Sequence, residues 1–275
     1  MTSPTPAILL KQVRFGYDKA VPVVEAVNAS LMPGRVTTLV GPNAAGKTTL
    51  LKLMLGLLRP WSGSVEVDGQ PIHALTPPMR ARWLSYVPQR PGVRFAFTVR
   101  QVIAMGAHGS DTKSSAPFID QAIDDAGLGE IAGRVFMELS GGQQQRVLLA
   151  RAEVQSAAQG RAMLLDEPGS HMDLHHRHAM MQRLRGIAER GLAVLVVLHD
   201  LDLAVRYADD AWLMDAGGLR AAGPWEQVLT PECLSPVYGL GLESIERGGA
   251  RPLLAVSSAL GDTMVSDSST PHHAE

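Results

Sequence analysis

Apolar and polar positions along the chain predict buried strands that alternate with amphipathic helices. Residues 7–15 mix both kinds of side chain and predict a strand, and residues 63–69 predict a short strand with a turn. Compact apolar runs typical of buried strands lie at residues 36–40, 84–87, 162–165 and 193–198. Helices are expected from Lys47 towards Gly56 and over residues 174–189. The first helix should bury the side that carries Leu50, Leu51, Leu53, Met54 and Leu57. This alternation favours an α/β fold with a parallel sheet and crossover helices.

The segment from residue 91 to about residue 152 interrupts this alternation. Its pattern is mostly helical, apart from a polar stretch at residues 109–117 that predicts a loop. We therefore expect a helical subdomain inserted into the α/β core.

Composition limits the classes of function. The chain has 275 residues, of which 45% are apolar and 19% charged, so a well-buried core is expected. Lys and Arg number 25 and Asp and Glu 27, which gives a net charge of −2. A nucleic-acid partner is not expected, because such proteins usually carry an excess of basic residues.

The chain offers no membrane span of its own. Its longest apolar run, residues 192–198, is far shorter than the ~20 residues that a transmembrane helix needs. Residues 1–6 lack the basic and apolar regions of a secretory signal, and the single cysteine, Cys233, favours a reducing compartment. Any membrane role must therefore come through a partner.

A glycine-rich loop at residues 41–48 carries the clearest chemistry. The sequence GPNAAGKT fits the pattern G-x-x-x-x-G-K-[ST] and stands between an apolar strand and a helix. Backbone N–H groups of such a loop converge on phosphates, and the helix N-terminus adds a favourable dipole. Lys47 would supply positive charge to the β- and γ-phosphates, and Thr48 a hydroxyl to Mg²⁺. The candidate ATP-binding residues here are Gly41, Pro42, Asn43, Ala44, Ala45, Gly46, Lys47, Thr48 and Thr49.

Two adjacent carboxylates end the apolar strand at residues 162–165. Strand tips are where doubly wound sheets place their ligands, and Asp166 suits Mg²⁺ either directly or through water. Glu167 is the candidate general base for the water that attacks the γ-phosphate.

The sequence LSGGQ at residues 139–143, together with these two motifs, resembles the nucleotide-binding domain of ABC ATPases. The resemblance covers about residues 8–239, with the motifs in the family's order. It implies a P-loop NTPase core with a mostly parallel sheet, an antiparallel β subdomain and the inserted helical subdomain. We expect an ATP-binding domain at residues 7–240, with its helical part at about 91–152. A C-terminal extension at 241–257 and a Ser/Thr-rich disordered tail at 258–275 should follow.

The resemblance also implies roles for individual residues. Tyr17 is similar to the aromatic residue that stacks on adenine, and Gln89 to the glutamine that senses Mg²⁺ and the attacking water. Asp173 is similar to the aspartate of the loop that crosses to the second subunit, and His199 to the histidine that contacts the γ-phosphate. Ser140 and Gly142 are expected to bind the γ-phosphate of ATP held by the other subunit. The segment that would face this ATP consists of Ser140, Gly141, Gly142 and Gln143. Glycine N–H groups at the start of a helix suit that role.

Two segments depart from the family pattern. The family usually has Gly where this chain has Ala44, and we expect binding to survive provided that Ala44 has a negative φ. Residues 169–173 are GSHMD, whereas the family more often has Thr, Ser, Ala, Leu and Asp. Gly169 and His171 are expected to loosen communication between subunits, but Glu167 is intact, so hydrolysis is still expected.

A less specific resemblance links the chain to ATPase subunits of importers for iron–siderophore, haem and cobalamin. It lies at residues 96–99, 102–106, 198–209 and 223–239. This resemblance implies a homodimer at the inner face of the plasma membrane that docks on permease subunits. A substrate-binding protein would act indirectly through the permease. The docking surface is expected in the helical subdomain near Gln89.

Alternatives stay open at this point. A soluble ABC ATPase of iron–sulfur assembly fits the same motifs, whereas DNA-repair relatives would need long coiled-coil insertions that the spacer lacks. A non-enzymatic nucleotide-binding module is disfavoured by Glu167. A histidine cluster, consisting of His171, His175, His176 and His178, has ligand-compatible helical spacing, but a solvated helix face is the favoured interpretation.

Overall fold

The structure is a computed structural model that describes residues 5–90, 92, 95–107 and 112–257. The strands are β1 (Ile8–Phe15), β2 (Val24–Leu31), β3 (Val36–Val40), β4 (Ser62–Val67), β5 (Gln70–Pro71), β6 (Leu84–Val87), β7 (Ala162–Leu165), β8 (Ala193–Val197), β9 (Asp210–Asp215), β10 (Gly218–Pro224), β11 (Leu242–Arg247) and β12 (Ala250–Val256). The α-helices are α1 (Lys47–Met54), α2 (Pro77–Trp83), α3 (Val99–Ala104), α4 (Thr112–Asp125), α5 (Gly141–Ser156), α6 (Leu174–Glu189), α7 (Leu201–Tyr207), α8 (Trp225–Val228) and α9 (Pro231–Tyr238).

A six-stranded sheet in the order β10-β9-β3-β8-β7-β6 forms the centre of the molecule. The five strands from β9 to β6 are parallel, and only β10 pairs antiparallel. Strands β3, β7 and β8 are buried at every position, which explains the apolar sequences of β7 and β8. Strand β3 also buries Thr37 and Thr38. Because parallel strands share their carboxyl ends, the residues that follow β3, β6, β7 and β8 meet at one edge.

A four-stranded antiparallel sheet, β2-β1-β4-β5, packs beside the larger sheet. The predicted strand at residues 7–15 forms its second strand, β1, with register irregularities against both neighbours. The α/β fold with a mostly parallel sheet and an antiparallel β subdomain is thus confirmed.

The helices that were predicted differ from the structure in two places, and α2, α7, α8 and α9 were not predicted. Residues 109–117 were expected to form a loop, but α4 begins at Thr112, so residues 112–117 are helical. The polar stretch extends the amphipathic helix whose later turns bury Ile119, Ala122 and Ile123. Leu57 lies beyond the end of α1 and is 65% exposed, whereas Leu50, Leu51, Leu53 and Met54 are buried as expected.

A two-stranded hairpin, β11-β12, follows α9 and packs against α7. The tail expected to be disordered, residues 258–275, lies outside the described residues. Within the described ranges, no helix combines the length and apolar character needed to cross a bilayer.

Candidate nucleotide site

The glycine loop between β3 and α1 is packed too closely for side chains at its two outer glycines. A Cβ at Gly41 would lie 2.0 Å from the Met214 carbonyl oxygen, and one at Gly46 2.6 Å from the Val23 carbonyl oxygen. Both glycines also have positive φ, 146° and 102°. The loop backbone is therefore held against β9 and the segment before β2, with α1 starting directly after Gly46.

Ala44 does not meet the condition under which its methyl group was expected to be tolerated. That condition was a negative φ, but φ is 61°, in the left-handed region that favours glycine. The Cβ contact with the following carbonyl costs an L-residue about 1–2 kcal/mol there. The methyl group is thus accommodated with backbone strain rather than without cost.

Lys47 extends from the first turn of α1 back along the loop. Its Nζ donates to the carbonyl oxygens of Gly41, at 2.8 Å, and of Pro42, at 2.7 Å. Burial lowers the pKa of the ammonium group, and the nearby carboxylates of Glu167 and Asp166 oppose this shift. The positive charge is therefore held inside the loop, close to where N–H groups would receive a phosphate.

Asp166 links the tip of β7 to α1. Its Oδ2 accepts from the Thr48 hydroxyl at 2.9 Å and from the Tyr86 hydroxyl at 3.5 Å. Among the described residues, no group donates to its buried Oδ1, and burial raises the pKa of the carboxyl group. A buried carboxylate oxygen without a partner, next to a hydroxyl, fits a divalent cation that prefers oxygen ligands.

Glu167 is held between two other elements. Its Oε1 lies 2.6 Å from His199 Nε2, and its Oε2 accepts from Gln89 Nε2 at 2.5 Å. Its φ of 47° places the backbone in the left-handed region. The carboxylate contacts residues that follow β6 and β8, whereas Asp166 contacts Thr48 of α1. The three residues proposed for catalysis therefore come together at the sheet edge.

Sequence reasoning missed two residues that support this group. Gln145 of α5 is 1% exposed, and its amide donates to the carbonyls of Pro88 and Gln89, at 3.2 and 2.7 Å. It shares the buried face of α5 with Leu148 and Leu149, so a polar residue on an apolar face was the available signal. Tyr86, on β6, could not have been found without knowing that β6 lies next to β7.

The LSGGQ segment lies apart from the phosphate loop. Ser140 caps α5: its hydroxyl accepts from Gln143 N–H, and the Gln143 side chain accepts from Ser140 N–H. Gly141 and Gly142 pack against His171, where a Cβ would approach at 3.1–3.2 Å. Within residues 5–90, 92, 95–107 and 112–257, the segment makes no hydrogen bond to the phosphate loop.

Asp173 and Tyr17 occupy the flanks. Asp173 caps α6 by accepting from His176 N–H at 2.8 Å, and that bond and the His176 ring lower its pKa. The Tyr17 hydroxyl lies 3.3 Å from Thr49 Oγ1, and its ring, 64% exposed, meets Phe15 edge-on. Tyr17 is thus next to the loop with a ring face open to solvent.

Three histidines of the cluster lie on α6, and His171 precedes that helix. His178 Nδ1 lies 2.9 Å from the Tyr207 hydroxyl, His176 contacts Asp173, and His171 contacts Ser170. In the part of the chain that the structure describes, no three His, Cys, Asp or Glu side chains are arranged to hold a metal ion.

The sequence matches a known family over residues 24–170, described as ABC transporter. The Hemin import ATP-binding protein HmuV of Pseudomonas entomophila is 40% identical over 222 residues, which cover 79% of this chain and 87% of that protein. The Cobalamin import ATP-binding protein BtuD of Halobacterium salinarum is 38% identical over 266 residues, covering 90% of this chain and 66% of that protein.

Solved structures agree with this relationship. A metal-chelate type ABC transporter in an inward-facing conformation superposes with a TM-score of 0.75 at 25% identity, covering 93% of this chain and 100% of that one. An ATP binding subunit of an ABC transporter, 23% identical, shares the fold with a TM-score of 0.74 and covers 86% of this chain and 94% of that one. The chain therefore belongs to the ABC transporter family and is an ATP-binding, ATP-hydrolysing import subunit.

Proposed function

We propose that ATP binds with its phosphates on the loop at residues 41–48 and its adenine against Tyr17. The observation that carries this assignment is the convergence of Lys47, Thr48 and Asp166 with the Glu167 group at one sheet edge. Thr48 and Asp166 would hold Mg²⁺, with Gln89 nearby. When bound, that ion supplies positive charge to the phosphate oxygens.

Hydrolysis follows from the placement of Glu167. Its carboxylate accepts a proton from water as the water oxygen bonds to the γ-phosphorus. The bond between the γ-phosphorus and the bridging oxygen breaks, which releases ADP and phosphate. Gln89 and His199, both bonded to Glu167, orient the carboxylate and border the γ-phosphate position.

Two copies would assemble head to tail to complete each site. Ser140 to Gln143 begin α5, where the backbone N–H groups and the helix dipole suit an anion. Since one subunit keeps this segment apart from its own loop, a second copy is needed to bring it to the γ-phosphate. Asp173, at the start of α6, lies in the segment proposed to cross between copies.

The cargo is proposed from the relatives. Proteins named for hemin import and cobalamin import are similar over most of this chain, and a metal-chelate transporter shares its fold. We propose that the chain works at the inner face of the membrane and energises uptake of an iron chelate, haem or cobalamin. Transport would pass through a separate permease, with a substrate-binding protein acting indirectly.

The test is transport by the purified complex in liposomes. Vesicles containing permease and ATPase subunits would receive binding protein loaded with an iron chelate, haem or cobalamin. One cargo should stimulate ATP turnover and enter the vesicles. Glu167→Gln, which keeps the side-chain shape but removes the charge, should bind ATP and stop both processes.

Two results would contradict the proposal. Normal turnover in Glu167→Gln would place the base elsewhere. If the protein purifies without a permease, and its deletion leaves uptake of all three cargoes unchanged, the soluble iron–sulfur assembly alternative gains the support.

A further inference from the structure

The C-terminal hairpin reaches the helix that starts next to His199. Helix α7 follows His199 after a single residue, Asp200, whose Oδ1 caps the helix by accepting from Leu203 N–H at 3.0 Å. His199 in turn contacts Glu167. We propose that Arg251 of β12 is a positioning residue for hydrolysis, because it fixes α7 and through α7 the His199 imidazole. This inference rests on the proposed roles of Glu167 and His199.

Arg251 closes the carboxyl end of α7. Its Nη1 donates to the carbonyl oxygens of Val205, at 2.7 Å, and of Ala208, at 2.6 Å. The last carbonyls of a helix lack partners within the helix and carry the negative end of its dipole, so a guanidinium group satisfies both needs. The hairpin makes a further contact near the start of α7, where Leu254 N–H donates to Asp202 Oδ1 at 2.9 Å.

Other groups hold the guanidinium in place. Its carbon lies 4.5 Å from the centre of the Trp225 ring, a distance typical of a cation–π contact. Burial and the neighbouring Arg185 lower the pKa of Arg251, while Asp209 and Glu226 oppose that shift. With these contacts the side chain is fixed at both its charged end and its flat face.

Helix α7 is also held by apolar packing that does not involve Arg251. One side of α7 is already buried in the core through Leu203, Ala204, Val205 and Tyr207. Apolar packing of one face leaves a seven-residue helix free to shift along its axis, whereas polar contacts at both ends fix that position. A displacement of α7 would move His199 relative to Glu167, where 2.6 Å now separates the two side chains.

The phosphate loop is outside this chain of contacts. Lys47 and the loop glycines are held by β9, by the segment before β2 and by the loop's own carbonyls. Loss of Arg251 should therefore impair the chemical step and leave the binding of ATP nearly unchanged. That separation distinguishes a positioning role from a general loss of stability.

The experiment compares variants of the full-length chain. Arg251→Ala should lower kcat by about tenfold or more, with the KM for ATP changed by less than about twofold. Arg251→Lys keeps the charge and a donor, and should recover most of kcat. Arg247→Ala is the matched control, since Arg247 belongs to the same hairpin and is exposed, and should behave as wild type. If Arg251→Ala does not fold, Arg251→Gln answers the same question.

A double-mutant cycle with His199→Ala tests the route. If Arg251 acts through His199, Arg251→Ala should add little to the loss already caused by His199→Ala. Additive losses of kcat in the double variant would overturn the inference about Arg251 and leave the proposed function standing. A lower Tm with unchanged kcat in Arg251→Ala would do the same. Full activity of His199→Ala would instead contradict the proposed function, whatever Arg251→Ala does.

Discussion

Two residues of the candidate site, Ala44 and Glu167, have left-handed backbone conformations. Their φ values are 61° and 47°. At Glu167 the strained residue belongs to the candidate catalytic group, because its carboxylate contacts Gln89 and His199. The neighbouring Asp166 contacts Thr48 instead. At Ala44 no such contact explains the strain, so a glycine there should relieve it.

Ala44→Gly should stabilise the protein by about 1 kcal/mol, because glycine adopts positive φ without the Cβ clash. The neighbouring Ala45→Gly is the control: Ala45 is buried and does not have a positive φ. That change should destabilise by about 1 kcal/mol through added chain entropy and a lost methyl contact. Urea unfolding measures the free energy of unfolding of both variants relative to wild type. A change in the same direction in both variants would contradict the strain assigned to Ala44.

The sequence could predict candidate residues for the site but not how each is bonded. Motif spacing identified Lys47, Asp166 and Glu167. The backbone conformation of Ala44 depends on how the loop packs against β9 and the segment before β2, which are distant in sequence. The hydrogen bonds from Gln145 to the carbonyls of Pro88 and Gln89 could not be predicted either, because α5 and β6 are separated by more than 50 residues in sequence.

At the scale of elements, a charged pair joins α5 to α6. Both oxygens of Glu153 face the Arg183 guanidinium, with Nη2 donating to Oε2 at 2.9 Å, and both side chains are mostly buried. Burial raises the pKa of Glu153 even though Arg183 lowers it. Ionised Glu153 is therefore tolerated in the fold chiefly because Arg183 is present.

Arg183→Met should destabilise the protein by about 3 kcal/mol at pH 8, because it leaves a buried carboxylate unpaired. Without Arg183 the folded-state pKa of Glu153 should rise further above its unfolded value. Protonated Glu153 costs less to bury, so the deficit should shrink as pH falls from 8 to 5. Arg100→Met, in the exposed pair with Asp120, should change stability by less than about 1 kcal/mol at either pH. A deficit independent of pH would contradict the role given to Glu153.

Elements with strong periodicity were predicted well. Helix α6 has the bounds expected from its pattern, and the buried strands β3, β6 and β7 follow their apolar runs. The start of α4 was missed because polar residues and Pro117 suggested a loop, although tertiary packing of its later turns extends the helix. The hairpin of β11 and β12, which packs against α7, was not predicted.

At the scale of the whole molecule, the proposed site is divided between two surfaces of the chain. Gly142→Asp would place a carboxylate where the second subunit's γ-phosphate is proposed to lie, and like charges repel strongly where water is excluded. ATP affinity of the isolated subunit should stay near normal, by calorimetry, while hydrolysis fails. On size-exclusion chromatography with ATP, the Glu167→Gln variant should form dimers, and adding Gly142→Asp to it should abolish them.

Gly142→Ala is the control for that prediction, because it adds the Cβ 3.2 Å from the His171 carbonyl oxygen without adding charge. It should retain more activity than Gly142→Asp. A collapse of ATP affinity in the isolated Gly142→Asp subunit would instead place the LSGGQ segment within a single subunit's own site.

The position of β3 in the middle of the large sheet governs when the protein can fold during its synthesis. Val36 pairs with Val194 and Thr38 with Ala211, so both neighbours of β3 are made more than 150 residues later. When the ribosome has synthesised β3 and the phosphate loop, neither strand that pairs with β3 has yet been made. Such an apolar strand is exposed to aggregation until the rest arrives. The yield of folded subunit should accordingly depend on translation speed and chaperone supply.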